Sequence, residues 1–267
     1  MKSSKLKNSS KQEAYNKNTE LNDKEITSEN IKSVLSDSSD ISYQLHYING
    51  RSDLLVTVVF VDGLVNTKMV NDDILKPLTQ EKILEKVNDL NGIIDLIVHG
   101  TIYHASRKLR TGLGEVLDDI LNGAVALVFD REKKAITFDI KGYEKRSITE
   151  PTNESALKGA KDSFIEVLRV NTSLVRRKIR TPYLRIKETI VGRQTKTSIA
   201  VIYIENLTNR KIIEEVLKRV NSIDVDGATT AGSIEEYIID DNRTLFPLVL
   251  YTERTDKFCH NILEKEE

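Results

Sequence analysis

Residues 150–182 read EPTNESALKGAKDSFIEVLRVNTSLVRRKIRTP, and this stretch organises the second half of the chain. After the Glu150-Pro151 turn it settles into three- and four-residue spacing, which is typical of one face of a helix. The residues on that stripe are Phe164, Leu168, Asn171, Val175 and Ile179. We expect the helix to begin at Asp162 or Ser163 and to end before Pro182, because a residue that precedes proline is disfavoured in helical conformation.

Two features of this predicted helix bear on function. Asn171 lies on the apolar stripe, where a buried amide must find hydrogen-bond partners or cost about 1–3 kcal/mol. The last turns carry a cluster of basic residues, namely Arg176, Arg177, Lys178 and Arg180. Cations suit the negative end of a helix dipole, so a solvated helix end accounts for them. A docking surface for an acidic partner accounts for them equally well.

Several separated motifs carry a family resemblance. They are EPTNES and the run from Gly159 to Pro182, VGRQTKTSIAVIYIENL (191–207), FVDGLVN (60–66) and FPLVLYTERTDK (246–257). Their content and order resemble the A-subunit family of the spore germinant receptors, from about Ile41 to the C-terminus. One motif departs from the family, which usually has Gly-Pro-Arg-(Glu/Asp)-Gly-Phe where this chain has GAKDSF (159–164).

The resemblance implies a non-enzymatic sensing or assembly domain, the N-terminal part of a longer membrane protein. By the same resemblance, the domain would lie on the cytosolic side of the spore inner membrane and work with the B and C subunits. Together they would respond to amino acids, sugars or nucleosides and trigger release of ions and dipicolinate. A pure protein-interaction scaffold with no ligand site of its own is the alternative.

The composition and net charge of the chain argue against several classes of protein. The chain has 267 residues, of which 39% are hydrophobic and 30% charged, with a formal net charge of -1. This balance gives no electrostatic case for nucleic-acid binding, since such proteins carry a basic surplus. The single cysteine, Cys259, excludes an internal disulfide. We expect no signal peptide, because the N-terminus is polar and has no apolar core segment. We expect no membrane span, because the most apolar run, Leu54–Val65, is interrupted at Asp62-Gly63 and is far shorter than the roughly 20 residues that a spanning helix needs.

The predicted fold class is mixed α/β, with two small α/β subdomains in tandem after a polar tail. Residues 1–40 are expected to be disordered, with a short helix at 28–35. In the first subdomain, 41–149, we expect strands at 41–48, 54–61, 93–98, 124–130 and 134–141, with helices at 65–77, 81–90 and 112–121. Through the family, the two subdomains resemble the paired lobes of solute-binding proteins.

The second subdomain, 150–267, begins at the Glu150-Pro151 turn. Strands are predicted at 184–191, 197–204 and 246–251, the first two joined around Gly192-Arg193. Helices are predicted after Asn209 or Thr208 and after Ser233, both of which suit a helix N-cap. Asp226-Gly227 is predicted to be a turn, because its neighbours lack the end carboxylates of a calcium loop.

Seven residues are candidates for binding a ligand or for lining the space between the lobes. They are Asp62, Glu150, Asn171, Arg193, Glu205, Glu253 and Arg254. For the strand-end carboxylates, pairing with arginine is the favoured interpretation, since charged groups at such positions usually satisfy each other. Asp62 ends a strand as the nucleophile of an aspartate-dependent phosphatase does, but the second Asp of that chemistry is missing. We expect no catalytic residue, metal or cofactor.

Overall fold

The computed structural model describes residues 21, 23–101, 106–142, 162–240, 244 and 247–264. The chain divides into two compact units. Unit 1 comprises 1–36 and 41–144, and unit 2 comprises 37–40 and 145–267. The predicted boundary at Glu150 lies outside the described residues. The α/β class is confirmed.

Unit 1 is built on a five-stranded sheet with strand order β1-β2-β4-β5-β3. The strands are β1 (Ile41–Ile48), β2 (Arg51–Val61), β3 (Arg107–Arg110), β4 (Val125–Phe129) and β5 (Lys134–Phe138), and every neighbouring pair is antiparallel. Asn49 and Gly50, both with positive φ, close the β1–β2 hairpin, as a two-residue turn of this twist requires. The strand β3 has no counterpart among the predicted elements.

Helices cover both faces of this sheet. One face is covered by α2 (Thr67–Met69, Val70–Leu75 and Lys76–Gln80), α3 (Lys82–Glu85) and α4 (Leu90–Leu96), with a core that includes Val58, Leu127 and Phe138. The other face packs under α1 (Ser28–Val34) and α5 (Leu113–Leu121). Alternate side chains of one strand therefore enter different cores, which explains why β4 is buried along its whole length.

The polar N-terminal stretch is shorter than predicted. Thr27 caps α1, its side chain accepting from the amide of Asn30, and Ile31 and Leu35 are at most 2% exposed in the core of unit 1. The carboxylate of Asp130 accepts hydrogen bonds from the amide and hydroxyl of Ser28 at 2.6 and 2.7 Å. The short helix predicted at 28–35 is confirmed as Ser28–Val34. The expected disorder is wrong for residues 26–35, because three of their few apolar side chains, Ile26, Ile31 and Leu35, are buried in the core of unit 1.

Helix α2 continues past its proline. It consists of Thr67–Met69, a π-helical turn Val70–Leu75 and Lys76–Gln80. The amide of Lys76 bonds to the carbonyl of Asn71, five residues back, and the widened turn tolerates Pro77, which has no amide hydrogen to donate. The prediction that the helix ends at Pro77 is wrong for this reason.

The predicted strand at 93–98 is also wrong, because α4 occupies Leu90–Leu96. Asp89 caps it through the amide of Gly92, and a π-helical turn, Ile97–Thr101, follows. The buried residues Leu90, Ile93, Ile94 and Ile97 have helical spacing, so the signal was present in the sequence. The helix predicted at 81–90 is divided between α3 and the start of α4.

Unit 2 centres on the hairpin of β6 (Leu184–Val191) and β7 (Thr197–Ile204), both as predicted. Against one face of the hairpin lie α6 (Leu168–Lys178) and α9 (Thr255–Leu263), which share a core that includes Val175, Ile186 and Cys259. Asn209 caps α7 (Arg210–Asn221), as predicted, whereas Thr230 rather than Ser233 caps α8 (Ala231–Ile238). Over the described residues 247–251 the predicted third strand is wrong.

Helix α6 is shorter than the helix that the apolar pattern of the sequence predicts. It begins at Leu168 rather than at Asp162 or Ser163, because residues 162–167 run outside the helix and Ser163 forms a β-bridge with Arg254. Among the described residues, no helix is both long and apolar enough to cross a membrane.

Candidate functional site

The basic end of α6 contains a buried ion pair. The Nε and Nη2 atoms of Arg176 donate to the two carboxylate oxygens of Asp40 at 2.7 and 3.0 Å, and Nη2 also reaches the Ser38 hydroxyl at 3.2 Å. Both charged side chains are 1% exposed. The prediction of Arg176 as a contact for an external partner is therefore wrong, because the segment 37–40 covers it within unit 2.

The other basic residues of this helix end lie nearer the surface. Lys178 pairs with Asp162 at 3.1 Å, which satisfies its ammonium group inside unit 2. Arg177 is half-buried, and Arg180 is exposed with its Nε donating to the carbonyl oxygen of Arg177 at 3.1 Å. Of the four predicted contact residues, Arg177 and Arg180 are thus the best placed to meet another protein.

Asn171 has the partners that its position requires. Its amide oxygen accepts from the backbone amide of Ile165 at 2.8 Å, and its amide nitrogen donates to the carbonyl of the same residue at 2.6 Å. The side chain thus continues the hydrogen bonding of the backbone ahead of α6, where Ile165 lies outside the helix. Asn171 therefore has a structural role here as the anchor of the residues that lead into the helix.

Two of the candidate residues of unit 2, Glu205 and Arg254, form ion pairs with neighbouring side chains. Glu205 binds Arg185, whose side chain is only 5% exposed, and Arg185 also donates to the Pro182 carbonyl at 2.7 Å. Arg254 binds both carboxylate oxygens of Asp256 at 3.1 and 2.5 Å. These hydrogen bonds are the main reason why the pKa of Asp256 falls to about 2. The carbonyl of Glu253 accepts from the amide of Phe164 at 2.8 Å.

Arg193 joins the turn of the β6–β7 hairpin to the turn at residues 224–226. It contacts Asp224 at 2.5 Å and Asp226 at 3.6 Å, and its backbone amide donates to the Val225 carbonyl at 2.9 Å. Its own hairpin needs Gly192 at φ 87, where an added Cβ would lie 2.3 Å from the Thr195 hydroxyl. Arg193 thus neutralises the two acids of a turn, in agreement with the sequence argument against a calcium loop.

Asp62 belongs to unit 1, whereas the other described candidates belong to unit 2. It is half-buried in the turn after β2, where Gly63 has φ 85 and the amide of Leu64 bonds back to the Val61 carbonyl at 3.2 Å. This is the turn that the sequence predicts. Glu150, the remaining candidate, lies outside the described residues.

Sequence reasoning missed a polar cavity of about 210 Å³ in unit 1. Its wall includes the end of α5 and the strands β3 and β5, and the lining residues are Ser106, Lys108, Asp119, Asn122, Ala124, Thr137, Asp139 and Lys141. These residues lie far apart in the sequence and share no regular spacing, so no sequence motif predicts that they line one cavity. Its mixture of cations, carboxylates, hydroxyls and an amide suits a small polar molecule.

Asp119 is the best-fixed charge of this cavity. Arg110 donates to its carboxylate at 2.8 and 3.2 Å, and the Thr137 hydroxyl donates at 2.6 Å. Burial is the largest influence and by itself raises the pKa of Asp119, but the hydrogen bonds and nearby cations together outweigh it, so the pKa is lowered. Asp119 therefore stays ionised. Within the described ranges, no group of three His, Cys, Asp or Glu residues could hold a metal ion.

Comparison with known proteins relates this chain to spore germination proteins. The model of the Bacillus/Clostridium GerA spore germination protein family matches residues 29–265. The membrane protein YfkQ of Bacillus subtilis (strain 168) is 33% identical over 237 residues, 88% of this chain and 45% of that protein. Spore germination protein B1 of the same organism is 30% identical over 88% of this chain and 47% of its own length. The chain thus spans less than half the length of these curated relatives.

A solved structure extends the comparison to the fold. The N-terminal domain of the A subunit of the Bacillus megaterium spore germinant receptor GerK3 superposes with a TM-score of 0.65. The two are 27% identical, and the match covers 91% of this chain and 89% of that one. A match of this extent includes elements of both units. On the family match, the sequence relatives and the shared fold together, this chain belongs to the GerA family of spore germination proteins.

Proposed function

We propose that this chain is the N-terminal domain of a spore germinant receptor A subunit and takes part in sensing nutrients or in transmitting their signal. The observation that carries the proposal is its similarity, over 91% of the chain, to the corresponding domain of GerK3. The family match over residues 29–265 supports it. The relatives are about twice as long, which fits a domain that continues into another part of the receptor.

The proposal places this domain on the cytosolic side of the spore inner membrane, attached to a membrane-spanning part and working with the B and C subunits. Support comes from the membrane protein YfkQ and the germination proteins among its relatives. A nutrient or a partner would act by binding one arrangement of the domain more tightly than another, since a ligand shifts an equilibrium only by its difference in affinity.

The polar cavity of unit 1 is the place where we propose that a nutrient binds. Amino acids, sugars and nucleosides present hydroxyl, carboxylate or ammonium groups, and this wall offers partners for each of them. Lys108 is exposed at the cavity, while Asp139 and Lys141 face each other at 3.1 Å. Thr137 and Asn122 add a hydroxyl and an amide. A volume of about 210 Å³ suits a molecule of amino-acid size better than a peptide.

Thermal unfolding tests the sensing role. The chain is heated with a panel of amino acids, sugars and nucleosides, each over a range of concentrations. A ligand of the folded state at 100 times its Kd adds about 2.7 kcal/mol and raises Tm. We expect one class to raise Tm, and Lys108→Ala to weaken that shift. The matched control is Lys82→Ala, an exposed lysine on α3, which should leave the shift intact.

A shift that survives Lys108→Ala would place the ligand elsewhere while leaving the sensing role in place. Absence of any shift, in a chain shown by its unfolding transition to be folded, would contradict nutrient binding by this domain. The scaffold alternative would then be favoured.

The scaffold alternative rests on two arginines near the C-terminal end of α6. The half-buried Arg177 is in the last turn of the helix and the exposed Arg180 follows it, so an acidic partner could contact both without displacing the buried pair of Arg176. We expect the double variant Arg177→Glu/Arg180→Glu to lose receptor assembly while Tm stays unchanged. Arg210→Glu, on a side chain that is 90% exposed, is the control for charge reversal. Normal assembly of the double variant would exclude this contact.

A further inference from the structure

The floor of the polar cavity in unit 1 is the outer end of the five-stranded sheet. Strand β3 is last in the strand order and pairs with β5, so that Lys108 lies directly opposite Thr137. The Asp139 amide donates to the Ser106 carbonyl at 3.1 Å, which continues this pairing beyond the two strands. Because side chains alternate between the faces of a sheet, these four side chains lie on one face. The Thr137 hydroxyl donates to Asp119, so this is the face that α5 covers.

The charged groups of the cavity differ in whether a partner already neutralises them. Asp119 accepts two hydrogen bonds from Arg110, and Asp139 accepts one from Lys141 at 3.1 Å. Lys108 is exposed, and within the described part of the chain its ammonium group forms no hydrogen bond or ion pair. An ammonium group has three donors and no acceptor. Lys108 is therefore a cation of the cavity that is available to an anionic ligand.

Lys141 is held beside the same cavity by the end of α5. Gly123 follows that helix with φ 88, a conformation that favours glycine. A Cβ added at Gly123 would lie 3.3 Å from the Cγ of Lys141, so the absence of a side chain leaves room for the lysine stem. Among the described residues, the Lys141 ammonium group bonds to Asp139 alone, which leaves donors for a ligand. Two ammonium groups, from Lys108 and Lys141, thus serve one cavity of about 210 Å³.

These donors favour a carboxylate over other small ligands. A carboxylate carries one charge and only accepts hydrogen bonds, and a charge-assisted hydrogen bond is roughly twice as strong as a neutral one. A sugar hydroxyl bound by the same lysine brings no charge of its own, so it gains no ion-pair attraction. A phosphate would bring a second negative charge close to Asp119 and Asp139, and like charges at short range disfavour one another.

We propose that this cavity binds small organic carboxylates, with the carboxylate of the ligand held by Lys108, Lys141 and the Ser106 hydroxyl. The ligand chemistry has two sources. An amino acid directs its ammonium group towards Asp139, whereas an organic acid without nitrogen uses its carboxylate alone. The inference rests on the proposed nutrient-binding role of the cavity and narrows its ligand to one chemical class. It also makes Lys108 a residue that determines specificity.

An NMR titration that follows the backbone amides of the chain tests the class of ligand. The probes are the common L-amino acids, the organic acids lactate, pyruvate and succinate, and the uncharged molecules glucose, ribose and adenosine. We expect at least one carboxylate to shift the amide signals of residues 106–110 and 137–141. The amide derivative of the tightest carboxylate lacks the negative charge and should bind at least about tenfold more weakly. Comparing the tightest amino acid with its nitrogen-free analogue distinguishes the two sources.

Variants of Lys108 test where the carboxylate binds. Lys108→Met keeps the length of the side chain and removes its charge, so it should weaken binding of the tightest carboxylate at least about tenfold. Lys108→Arg keeps the charge and should restore most of the affinity. Lys82→Met, which replaces an exposed lysine of α3, is the matched control and should leave the affinity unchanged. A Tm equal to that of the unmodified chain shows that each variant is folded.

The results separate this inference from the proposed sensing role. Binding of glucose, ribose or adenosine at this cavity, with no binding of a carboxylate, would overturn the carboxylate class and leave nutrient binding in place. Equal affinity for the acid and its amide, or an affinity that Lys108→Met does not change, would also overturn the inference. Absence of binding by every probe would contradict both this inference and nutrient binding by the domain.

Discussion

Arg176 and Asp40 form a bidentate ion pair with both side chains 1% exposed, 136 residues apart in the sequence. The pair holds the segment 37–40 in unit 2, immediately before β1 of unit 1 begins at Ile41. The segment also bonds along β6, where the Ser39 amide donates to the Ile186 carbonyl at 2.8 Å. One buried guanidinium thus fixes the point at which the chain leaves unit 2.

Breaking this pair should destabilise unit 2. Arg176→Ala leaves the Asp40 carboxylate buried without its charge partner, and removing one member of a buried pair costs about 3–5 kcal/mol. Urea unfolding, monitored by a spectroscopic signal from unit 2, measures the decrease in the free energy of unfolding. Arg177→Ala, the adjacent half-buried arginine, is the control and should cost less than about 1 kcal/mol.

Replacing both Arg176 and Asp40 with apolar residues should not destabilise the protein as the single replacement does. The comparison separates the effect of charge from that of packing. Arg176→Met combined with Asp40→Leu puts apolar groups where the ions were, and such replacements are often neutral or stabilising. We expect the double variant to be more stable than Arg176→Ala alone. Equal destabilisation of the two variants would show that the ion pair acts through its hydrogen bond to Ser38 and its shape rather than through its charge.

Asn171→Ala should cost about 1–3 kcal/mol, because the Ile165 amide and carbonyl lose the partners that the side chain supplies. The same urea experiment measures the change. Asn221→Ala, at the exposed end of α7, is the matched control and should have a small effect. A similar cost for both variants would contradict the anchoring role of Asn171.

Asp256 should add a small acid-dependent contribution to stability. Its pKa is about 2 in the folded chain against an ordinary 3.8, chiefly because Arg254 hydrogen bonds to it. A lowered pKa means that the contribution is present above about pH 4 and is lost as the pH falls through about 2. The side chain is 34% exposed, so solvent screening limits the contribution to about 0.5 kcal/mol.

The measurement for Asp256 is an NMR titration of its carboxyl carbon. Arg254→Gln should return its pKa towards 3.8, while Arg210→Gln, on a different helix, should leave it unchanged. A titration that is insensitive to Arg254→Gln would contradict the cause assigned to the shift.

Cys259 should react slowly with thiol reagents in the folded chain. Burial raises its pKa from 9.0 to about 11, and only the thiolate is nucleophilic. Two pKa units lower the thiolate fraction at neutral pH about a hundredfold, in addition to the steric protection of a buried side chain. Alkylation rates in buffer and in urea measure the difference. Fast alkylation without unfolding would show that the core of unit 2 opens around α9.

Local patterns in the sequence determined much of the architecture. Alternating or continuous apolar runs predicted β1, β2, β4, β5, β6 and β7, and the Asn209 cap predicted the start of α7. These elements follow from side-chain periodicity and from capping, which act over a few residues and do not depend on distant partners. The family motifs, likewise local, were sufficient to indicate the family.

Tertiary structure decided the elements in which local signals competed. A π-helical turn lets α2 pass Pro77. The sequence predicts the short helix α1, but the surrounding residues were expected to be disordered, and it is the sheet of unit 1 that buries the apolar face of this helix. The missed strand β3 carries mostly charged residues and is stabilised by its pairing with β5.

The roles of the charged residues were also decided at the tertiary level. The sequence places Arg176 beside Arg177 with the same composition around both, yet one is fully buried and the other lies near the surface. Asp40 and Asp119 find their partners through folding, the first across 136 residues and the second across strands β3 and β5. Burial and charge pairing depend on which segments pack together, so a list of residues determines which groups are present and only the fold determines which of them meet.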